Sequence, residues 1–374
     1  MMRRKTGINN RVTVGNLLWL DIYTRDQKYK TMTNYTIIGL GRIGTSLGMA
    51  IRGRQGGKSR VIGYDADNNA QSLAQRMGAV DNVEWDLSKA VGDADLVIAA
   101  TPAKSLYDVF TAIAPHLKTG AVITDTSPSK RAVTQWAEEL LPKNVGFVGG
   151  NPLTGASVKE QKDASGHIFH NTKWAVVAPA SANHNSIKTL TDLIESIDAK
   201  PVFMDPDEHD SFSAATNGLP VIVATALMNA VSTSPSWSEI SRFVGIEFDQ
   251  MTSPASAEPS SSQSAAATNS DMLAHWIDQL MDRLRSMRDG LLDDEERFAS
   301  DGILSDSFVQ AWEQRARLEA GIADRRPDAA GKTEIPSSSE SMMSLFFGSR
   351  VAGVMSGGKE KKRDATKYDR RKLN

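Results

Sequence analysis

From Tyr35 to Met204, short apolar runs alternate with segments whose apolar residues recur at the spacing of one helix face. The runs are typical of strands that are buried on both sides, and the segments between them predict helices. Repeated strand–helix units of this kind predict a parallel sheet covered by helices on both faces. We therefore predict an α/β fold with a doubly wound parallel sheet for this part of the chain.

Beyond position 210 the strand pattern disappears and only helical patterns remain. Helices are predicted over Leu219–Val231, Met272–Leu292 and Phe308–Ile322, whereas the stretch from Ser253 to Thr268, rich in Ser, Ala and Pro, is predicted to be a loop. The predicted organisation is an N-terminal extension (1–33), a sheet domain (34–210), an all-helical domain (211–324) and a disordered basic tail (325–374).

The first apolar run ends in a glycine-rich loop that passes directly into a helical segment. In the pattern G-x-G-x-x-G, the loop residues are Gly39, Leu40, Gly41, Arg42, Ile43 and Gly44. The first glycine of such a loop permits a tight turn, the second lets a pyrophosphate approach the backbone, and the third lets helix and strand pack closely. The N-terminus of the helix adds free N–H groups and the positive end of its dipole. The loop therefore predicts a dinucleotide site.

Asp65 indicates which dinucleotide we expect. It ends the second apolar run, about twenty residues after Gly44. A carboxylate there accepts hydrogen bonds from the adenosine ribose and repels a 2′-phosphate. Because no arginine follows Asp65 immediately, NAD is the predicted cofactor rather than NADP. Thr101, Pro102 and Asp125 stand at the ends of later strands, where open α/β sheets bind ligands, and are predicted to line the same site.

The composition excludes several other classes of protein. With 43 Lys and Arg against 45 Asp and Glu, the net charge is -2, so no global field favours nucleic acid or a membrane surface. The chain contains no cysteine, which excludes disulfides and cysteine catalysis. No apolar run approaches the length of a membrane span, and no metal site is predicted. We expect a soluble, cytoplasmic protein that binds a small-molecule substrate and neither nucleic acid nor membrane.

With these elements in place, the chain resembles the prephenate/arogenate dehydrogenase family of tyrosine biosynthesis. The resemblance covers roughly 35–324 and rests on motifs in the right order, namely Ile37–Gly44, Gly63–Asp65, Ala99–Pro102, Thr124–Asp125 with Lys130, Val148–Gly155 and Met204–Asp210. It implies a Rossmann domain followed by an all-helical domain that forms a homodimer. It also implies oxidation of prephenate, or of its amino analogue arogenate, with NAD or NADP. Hydride leaves the ring carbon that bears the hydroxyl, carbon dioxide departs, and the ring becomes aromatic.

The chain departs from this family at positions to which the resemblance assigns catalytic roles. The catalytic histidine of the family's G-G-H-P motif is Asn151 here. The serine of its D-x-x-S-x-K motif falls on Pro128, although Ser127 flanks it and Lys130 is retained. The resemblance thus implies Asn151, Ser127 and Lys130 as the catalytic set. An amide can hydrogen-bond a hydroxyl but cannot take its proton, and losing a positioned base typically costs about 10²–10⁴ in rate.

Two further features of the family are missing. Its S-H-L-P-H motif reads Asn217–Val221, without either histidine, and its substrate-binding arginine falls at about Ser253. His209 and His170 are histidines elsewhere that could approach the cleft, although a structural or solvated role is more common for a lone histidine. Lys130 and Arg242 are the cationic candidates for binding a substrate carboxylate.

Three functions stay open at this level. The chain is a divergent prephenate or arogenate dehydrogenase, a dehydrogenase of the same fold with a different small substrate, or a non-catalytic homologue that binds NAD. The dinucleotide motif is compatible with all three. The order of the motifs favours the first, whereas the altered substrate positions favour the other two. We predict the first, NAD-dependent oxidation of prephenate or arogenate in tyrosine biosynthesis, and keep the other two as alternatives.

Overall fold

The computed structural model describes residues 33–55, 59–154, 160–299 and 302–323. The predicted basic tail and the predicted N-terminal extension lie outside these ranges, except for Thr33, which begins the first strand. In chain order, the strands of the described residues are β1 (Thr33–Ile38), β2 (Ser59–Tyr64), β3 (Asn82–Val83), β4 (Leu96–Ala99), β5 (Val122–Asp125), β6 (Gly146–Phe147), β7 (Gly149–Pro152), β8 (Lys173–Val177) and β9 (Lys200–Phe203).

Helices follow most of the strands and make up the region after β9. In chain order, the α-helices of the described residues are α1 (Arg42–Gln55), α2 (Asn68–Arg76), α3 (Leu87–Gly92), α4 (Leu106–Ile113), α5 (Arg131–Leu140), α6 (His184–Ser196), α7 (Pro206–Ser213), α8 (Leu219–Ser232), α9 (Trp237–Ile240), α10 (Ile246–Thr252), α11 (Pro259–Thr268), α12 (Ser270–Leu292) and α13 (Ile303–Glu319).

Six strands form a parallel sheet in the order β3-β2-β1-β4-β5-β6, which confirms the predicted doubly wound sheet. The strand order reverses between β1 and β4, and ligands bind beyond the strand ends at such a switch point. A second, smaller sheet has the order β7-β8-β9, with β7 antiparallel to β8. The apolar run from Val145 to Gly150 therefore contributes one strand to each sheet. The buried Val148 connects these two strands, β6 and β7.

Each face of the large sheet packs against its own apolar cluster. Ile37 and Ile98 belong to one cluster, and their neighbours Ile38 and Val97 belong to the other, as expected when successive side chains point to opposite faces. These four side chains have 1% exposure or less. The continuous apolar runs seen in the sequence thus reflect burial on both faces of the sheet.

The helical region begins at a capped helix. Asp205 Oδ1 accepts a hydrogen bond of 2.8 Å from the backbone N–H of Glu208, and Pro206 occupies the first turn. Helix α7 continues through a π-helical segment, Ala214–Gly218, into α8. By length and composition, Pro206–Ser232 is apolar enough to cross a membrane, so the expectation that no apolar run approaches that length is wrong. Little of this helix is buried within the described chain. Apolar helices at subunit interfaces have the same properties.

The prediction of a loop from Ser253 to Thr268 is wrong. A 3₁₀-helix spans Ser253–Ser256, and α11 follows after Ala257 and Glu258. Glu258 caps α11, because its carboxylate accepts hydrogen bonds from the backbone N–H groups of Ser260 and Ser261. These hydrogen bonds, that from Ser260 foremost, lower the pKa of Glu258 to about 2. The cap and a run of alanines stabilise this helix. The amino-acid composition of the segment is also typical of linkers, which is why a loop was predicted.

The chain forms two compact units, with the boundary in sequence between Asp278 and Gln279, inside α12. The first unit contains both sheets, the helices through α11 and the start of α12. Within the second unit, the structure describes the rest of α12 and α13. All residues of the candidate site belong to the first unit.

Candidate functional site

The glycine loop between β1 and α1 has the geometry of a dinucleotide cradle. Gly39 has a φ of +92°, and a Cβ there would lie 2.6 Å from the carbonyl oxygen of Ala100. A Cβ on Gly44 would overlap the carbonyl oxygen of Gly39, so glycine is required for this packing of helix on strand. Gly41 is exposed, and a Cβ there would meet nothing within 4 Å. Its backbone is therefore open to an approaching ligand.

The remaining loop residues contribute backbone groups and the start of α1. Leu40 is fully buried in the apolar core, so only its backbone is available to a ligand. Arg42 and Ile43 are the first two residues of α1 and are half-buried. Burial lowers the pKa of the Arg42 guanidinium from its ordinary value. The N–H groups and the positive dipole end at a helix N-terminus favour a bound phosphate.

Asp65 ends β2 next to the loop. Its Oδ2 accepts a hydrogen bond of 2.6 Å from Leu40 N, and its Oδ1 accepts one of 2.8 Å from Asp67 N. A carboxylate oxygen can accept more than one hydrogen bond, so capacity remains for the hydroxyls of a ribose. The carboxylate is thus held beside the glycine loop, as the dinucleotide motif requires.

Thr101 follows β4, on the other side of the strand-order switch. Its methyl group would lie 3.0 Å from a Cβ on Gly39. Its hydroxyl oxygen is buried and has no hydrogen-bond partner in the part of the chain that the structure describes. An unsatisfied buried hydroxyl costs about 1–3 kcal/mol, which a ligand at this position would recover. Pro102, the next residue, is exposed. The cradle and this hydroxyl together fit a dinucleotide.

A fully buried ion pair stands at the end of β5. Lys130 Nζ pairs with Asp125 Oδ2, and both side chains have 0% exposure. Ser127 donates a hydrogen bond of 2.6 Å from its hydroxyl to the same carboxylate oxygen. Burial lowers the pKa of Lys130, and the attraction of Asp125 offsets this only in part. These charged groups face each other, so they hold the turn between β5 and α5 rather than presenting a free charge to the cleft.

Asn151, in β7, contacts a histidine of the helical region. Its Nδ2 lies 3.0 Å from Nε2 of His209, in α7, and both residues are buried. His209 Nδ1 lies in turn 2.8 Å from Oδ1 of Asp210. Asn151, His209 and Asp210 thus form one hydrogen-bonded chain, which we call the Asn151–Asp210 chain.

Asp210 joins this chain to the N-terminus of α5. Its Oδ1 accepts a hydrogen bond of 2.6 Å from Lys130 N, and its Oδ2 accepts one of 3.0 Å from Arg131 N. Burial alone would raise the pKa of Asp210, but hydrogen bonds from His209 and from these two backbone groups outweigh it and hold the pKa below its ordinary value. Asp210 is therefore a buried anion.

The structure also describes two other positions at which the chain departs from the motifs of the resemblance. Gly218, which replaces the first histidine of the S-H-L-P-H motif, ends the π-helical segment. A Cβ there would lie 3.1 Å from Leu273 Cδ1, and Leu273 has 5% exposure. Ser253, at the position of the family's arginine, begins a 3₁₀-helix and is half-buried. Arg242 is exposed in another short 3₁₀-helix.

Sequence reasoning identified His209 only as one of two histidines that could approach the cleft. The second, His170, instead lies beside Arg54, with 2.9 Å between His170 Nε2 and Arg54 Nη2, and does not contact Asn151. The residue that follows each histidine in the sequence distinguishes His209 from His170. His209 precedes an aspartate that the fold buries, and a buried carboxylate orients an adjacent imidazole.

Comparison with family models gives two matches. The model described as prephenate dehydrogenase, nucleotide-binding domain, matches residues 47–203. The model described as prephenate dehydrogenase, dimerization domain, matches residues 205–300. The first match confirms that the sheet domain is of a nucleotide-binding type.

Individual relatives are similar over two thirds to three quarters of this chain. A prephenate dehydrogenase of Bacillus subtilis is 28% identical over 249 residues, which are 66% of this chain and 65% of the relative, just under two thirds of its length. A cyclohexadienyl dehydrogenase of Zymomonas mobilis is 28% identical over 75% of this chain and 94% of its own. The solved structure of A. aeolicus prephenate dehydrogenase with hydroxyphenyl propionate and NAD+ has a TM-score of 0.70 at 21% identity, covering 78% of this chain and all of the other. At that identity the likeness shows the fold.

Proposed function

Because this chain belongs to the prephenate dehydrogenase family, we propose that it oxidises prephenate or arogenate with NAD, with loss of carbon dioxide and formation of an aromatic ring. The observation that carries the proposal is the placement of the two halves of the site. The glycine loop stands at β1, and the Asn151–Asp210 chain stands beyond β5, at the same edge of the sheet. Adjacent strands lie about 4.8 Å apart, which puts these features within the span of one dinucleotide and a small substrate.

NAD is the cofactor that the chain's own residues fit. The backbone of Gly41 and the N-terminus of α1 would hold the pyrophosphate, and Asp65 would bind the adenosine ribose. Thr101, whose hydroxyl has no partner among the described residues, would face the nicotinamide half. When bound, the nicotinamide accepts hydride from the ring carbon that carries the substrate hydroxyl.

The resemblance assigns the position of Asn151 to the catalytic histidine of the family's G-G-H-P motif. The Asn151 amide accepts a hydrogen bond from the substrate hydroxyl but cannot take the proton, so water is the remaining acceptor. We expect slow turnover that rises with pH. Lys130 and Ser127 support the turn from which α5 begins, and α5 in turn holds Asp210.

The same proposal includes assembly and location. The match to a dimerization domain over 205–300 and the poorly buried apolar helix α8 support a homodimer. The chain acts on a small molecule, without nucleic acid or membrane as a partner, in the cytoplasm.

A second candidate is a dehydrogenase of this fold with another small substrate. The observation that favours it is Leu273, which fills the space beside Gly218 where the family's motif has a histidine. An apolar side chain there removes a polar contact to the substrate, and a site discriminates strongly through such contacts.

The test is NADH production by the purified protein with prephenate and with arogenate, measured after NAD binding has been established by calorimetry. A slow, substrate-dependent rate that increases with pH supports the proposal. The control is the Gly41→Val variant, whose side chain would obstruct the pyrophosphate and should remove both NAD binding and turnover. A protein that binds NAD but oxidises neither compound at high pH would exclude this function and favour the second candidate.

A further inference from the structure

We propose that His209 is a positioning residue that fixes the amide of Asn151, so that the amide oxygen, and not its nitrogen, faces the substrate hydroxyl. The identity of that hydroxyl rests on the function proposed above. The orientation of the amide rests on the Asn151–Asp210 chain alone.

The proton on His209 is placed by Asp210. The Asp210 carboxylate is an anion that already accepts hydrogen bonds from Lys130 N and Arg131 N, and it can act only as an acceptor. His209 Nδ1, 2.8 Å from Asp210 Oδ1, must therefore be the donor. In the neutral ring, the other nitrogen, Nε2, is then an acceptor.

The acceptor on His209 determines the orientation of Asn151. Nδ2 of Asn151 lies 3.0 Å from His209 Nε2 and donates to it. The reversed amide would place Oδ1 against the lone pair of Nε2, so two acceptors would face each other in a buried site, at the cost of an unsatisfied group. Neutral His209 thus turns Asn151 Oδ1 away from itself and leaves this oxygen free to accept a hydrogen bond from a substrate hydroxyl.

The first test is independent of activity. The protein is labelled with ¹⁵N in histidine and asparagine, and the signals of His209 and Asn151 are assigned with the variants His209→Gln and Asn151→Ala. We expect the Nδ1–H tautomer of His209 at neutral pH. We also expect the side-chain amide signal of Asn151 to change in His209→Gln, because that amide donates to His209 Nε2. The exposed His116, replaced in His116→Gln, is the matched control and should leave the Asn151 signal unchanged. An Nε2–H tautomer, or an Asn151 signal that is the same in His209→Gln as in the wild type, overturns the proposal.

The second test uses kinetics. A glutamine side chain can also accept a hydrogen bond from Asn151 Nδ2, so His209→Gln should keep part of the activity. His209→Phe removes the acceptor and should lower kcat about three- to tenfold, as expected for one hydrogen bond, with the affinity for NAD unchanged. Equal kcat for the wild type and both variants, or equal losses in His209→Gln and His209→Phe, would contradict the positioning role. If the wild type oxidises neither prephenate nor arogenate while the tautomer and the coupled Asn151 signal are observed, the proposed function fails and the orientation of Asn151 stands.

Discussion

The carboxylate of Asp65 accepts a hydrogen bond of 2.6 Å from the backbone N–H of Leu40. This bond ties the residue that would bind the ribose to the loop that would hold the pyrophosphate. The two parts of the dinucleotide site are therefore coupled through one oxygen atom. A change at Asp65 should affect affinity for the cofactor as well as the choice between NAD and NADP.

Replacing Asp65 with Ser and Ala66 with Arg should shift the preference from NAD toward NADP. The change removes charge-assisted hydrogen bonds to the ribose and supplies a cation for a 2′-phosphate. The dissociation constant for NAD should rise about 10- to 100-fold, and that for NADP should fall. Both are measured by calorimetry. Asp86→Ser, which removes the capping aspartate of α3, is the control and should leave the preference unchanged. Equal affinity of the wild type for NAD and NADP would contradict the role of Asp65.

Alanine at two glycines of the loop should have opposite consequences. Gly44→Ala places a methyl group against the carbonyl oxygen of Gly39, so it should lower the free energy of unfolding by about 1–3 kcal/mol. Gly41→Ala meets nothing within 4 Å and should change stability by no more than about 0.5 kcal/mol. Its methyl group points into the open cradle, however, and should weaken NAD binding about tenfold. Urea unfolding and calorimetry separate the two effects. Similar stabilities for both variants would show that the loop geometry is wrong.

Lys130→Met should lower stability rather than substrate affinity. The change leaves Asp125 as an uncompensated buried charge, which typically costs about 3–5 kcal/mol. The double variant Lys130→Met with Asp125→Asn should recover part of the loss. Lys118→Met, which breaks the exposed pair with Asp95, is the control and should cost at most about 1 kcal/mol. Stability is measured by urea unfolding. A Lys130 variant with unchanged stability and a raised KM would instead show that Lys130 binds the substrate.

The large sheet was predictable from the sequence, whereas the substrate site was only partly so. Buried parallel strands carry continuous apolar runs, and the glycine loop has a local sequence motif. Both can therefore be predicted from a single sequence. The contact between Asn151 and His209 joins residues that are 58 positions apart, and no local pattern encodes it. The prediction of a loop over Ser253–Thr268 was wrong for a different reason. Its Ser- and Ala-rich composition suits a linker as well as a helix, and the Glu258 cap decides between them.

Phe243→Asp should weaken the proposed homodimer. Phe243 is 89% exposed and lies in the region that matches the dimerization domain. A charge placed in an apolar interface is left unpaired, and a lost aromatic anchor typically costs at least about 2 kcal/mol, or about thirtyfold in the dissociation constant. Light scattering over a range of concentrations measures the effect. Trp85→Asp is the control, because Trp85 is 61% exposed but lies outside that region. A wild type that is monomeric at micromolar concentration would contradict the dimer itself.

Asn151→His should raise the rate of oxidation of prephenate or arogenate. His209 Nε2 already accepts an N–H from residue 151, so a histidine there can donate through one ring nitrogen and keep the other as a base. The buried anion Asp210 would support this arrangement through His209. A positioned base is worth about 10²–10⁴ in rate, and we expect the lower end because the family's substrate-binding arginine is still absent at Ser253.

The measurement is kcat for NADH production in wild type, Asn151→His, Asn144→His and the double variant Asn151→His with His209→Phe. Asn144 is an exposed asparagine, so its replacement should not change the rate. The double variant should lose most of the gain, because His209 orients residue 151 and the effects of two residues in contact are not additive. A fully retained gain would show that His209 does not orient residue 151. If Asn151→His folds, binds NAD and stays as slow as the wild type, the site does not hold prephenate or arogenate in the pose that this chemistry requires.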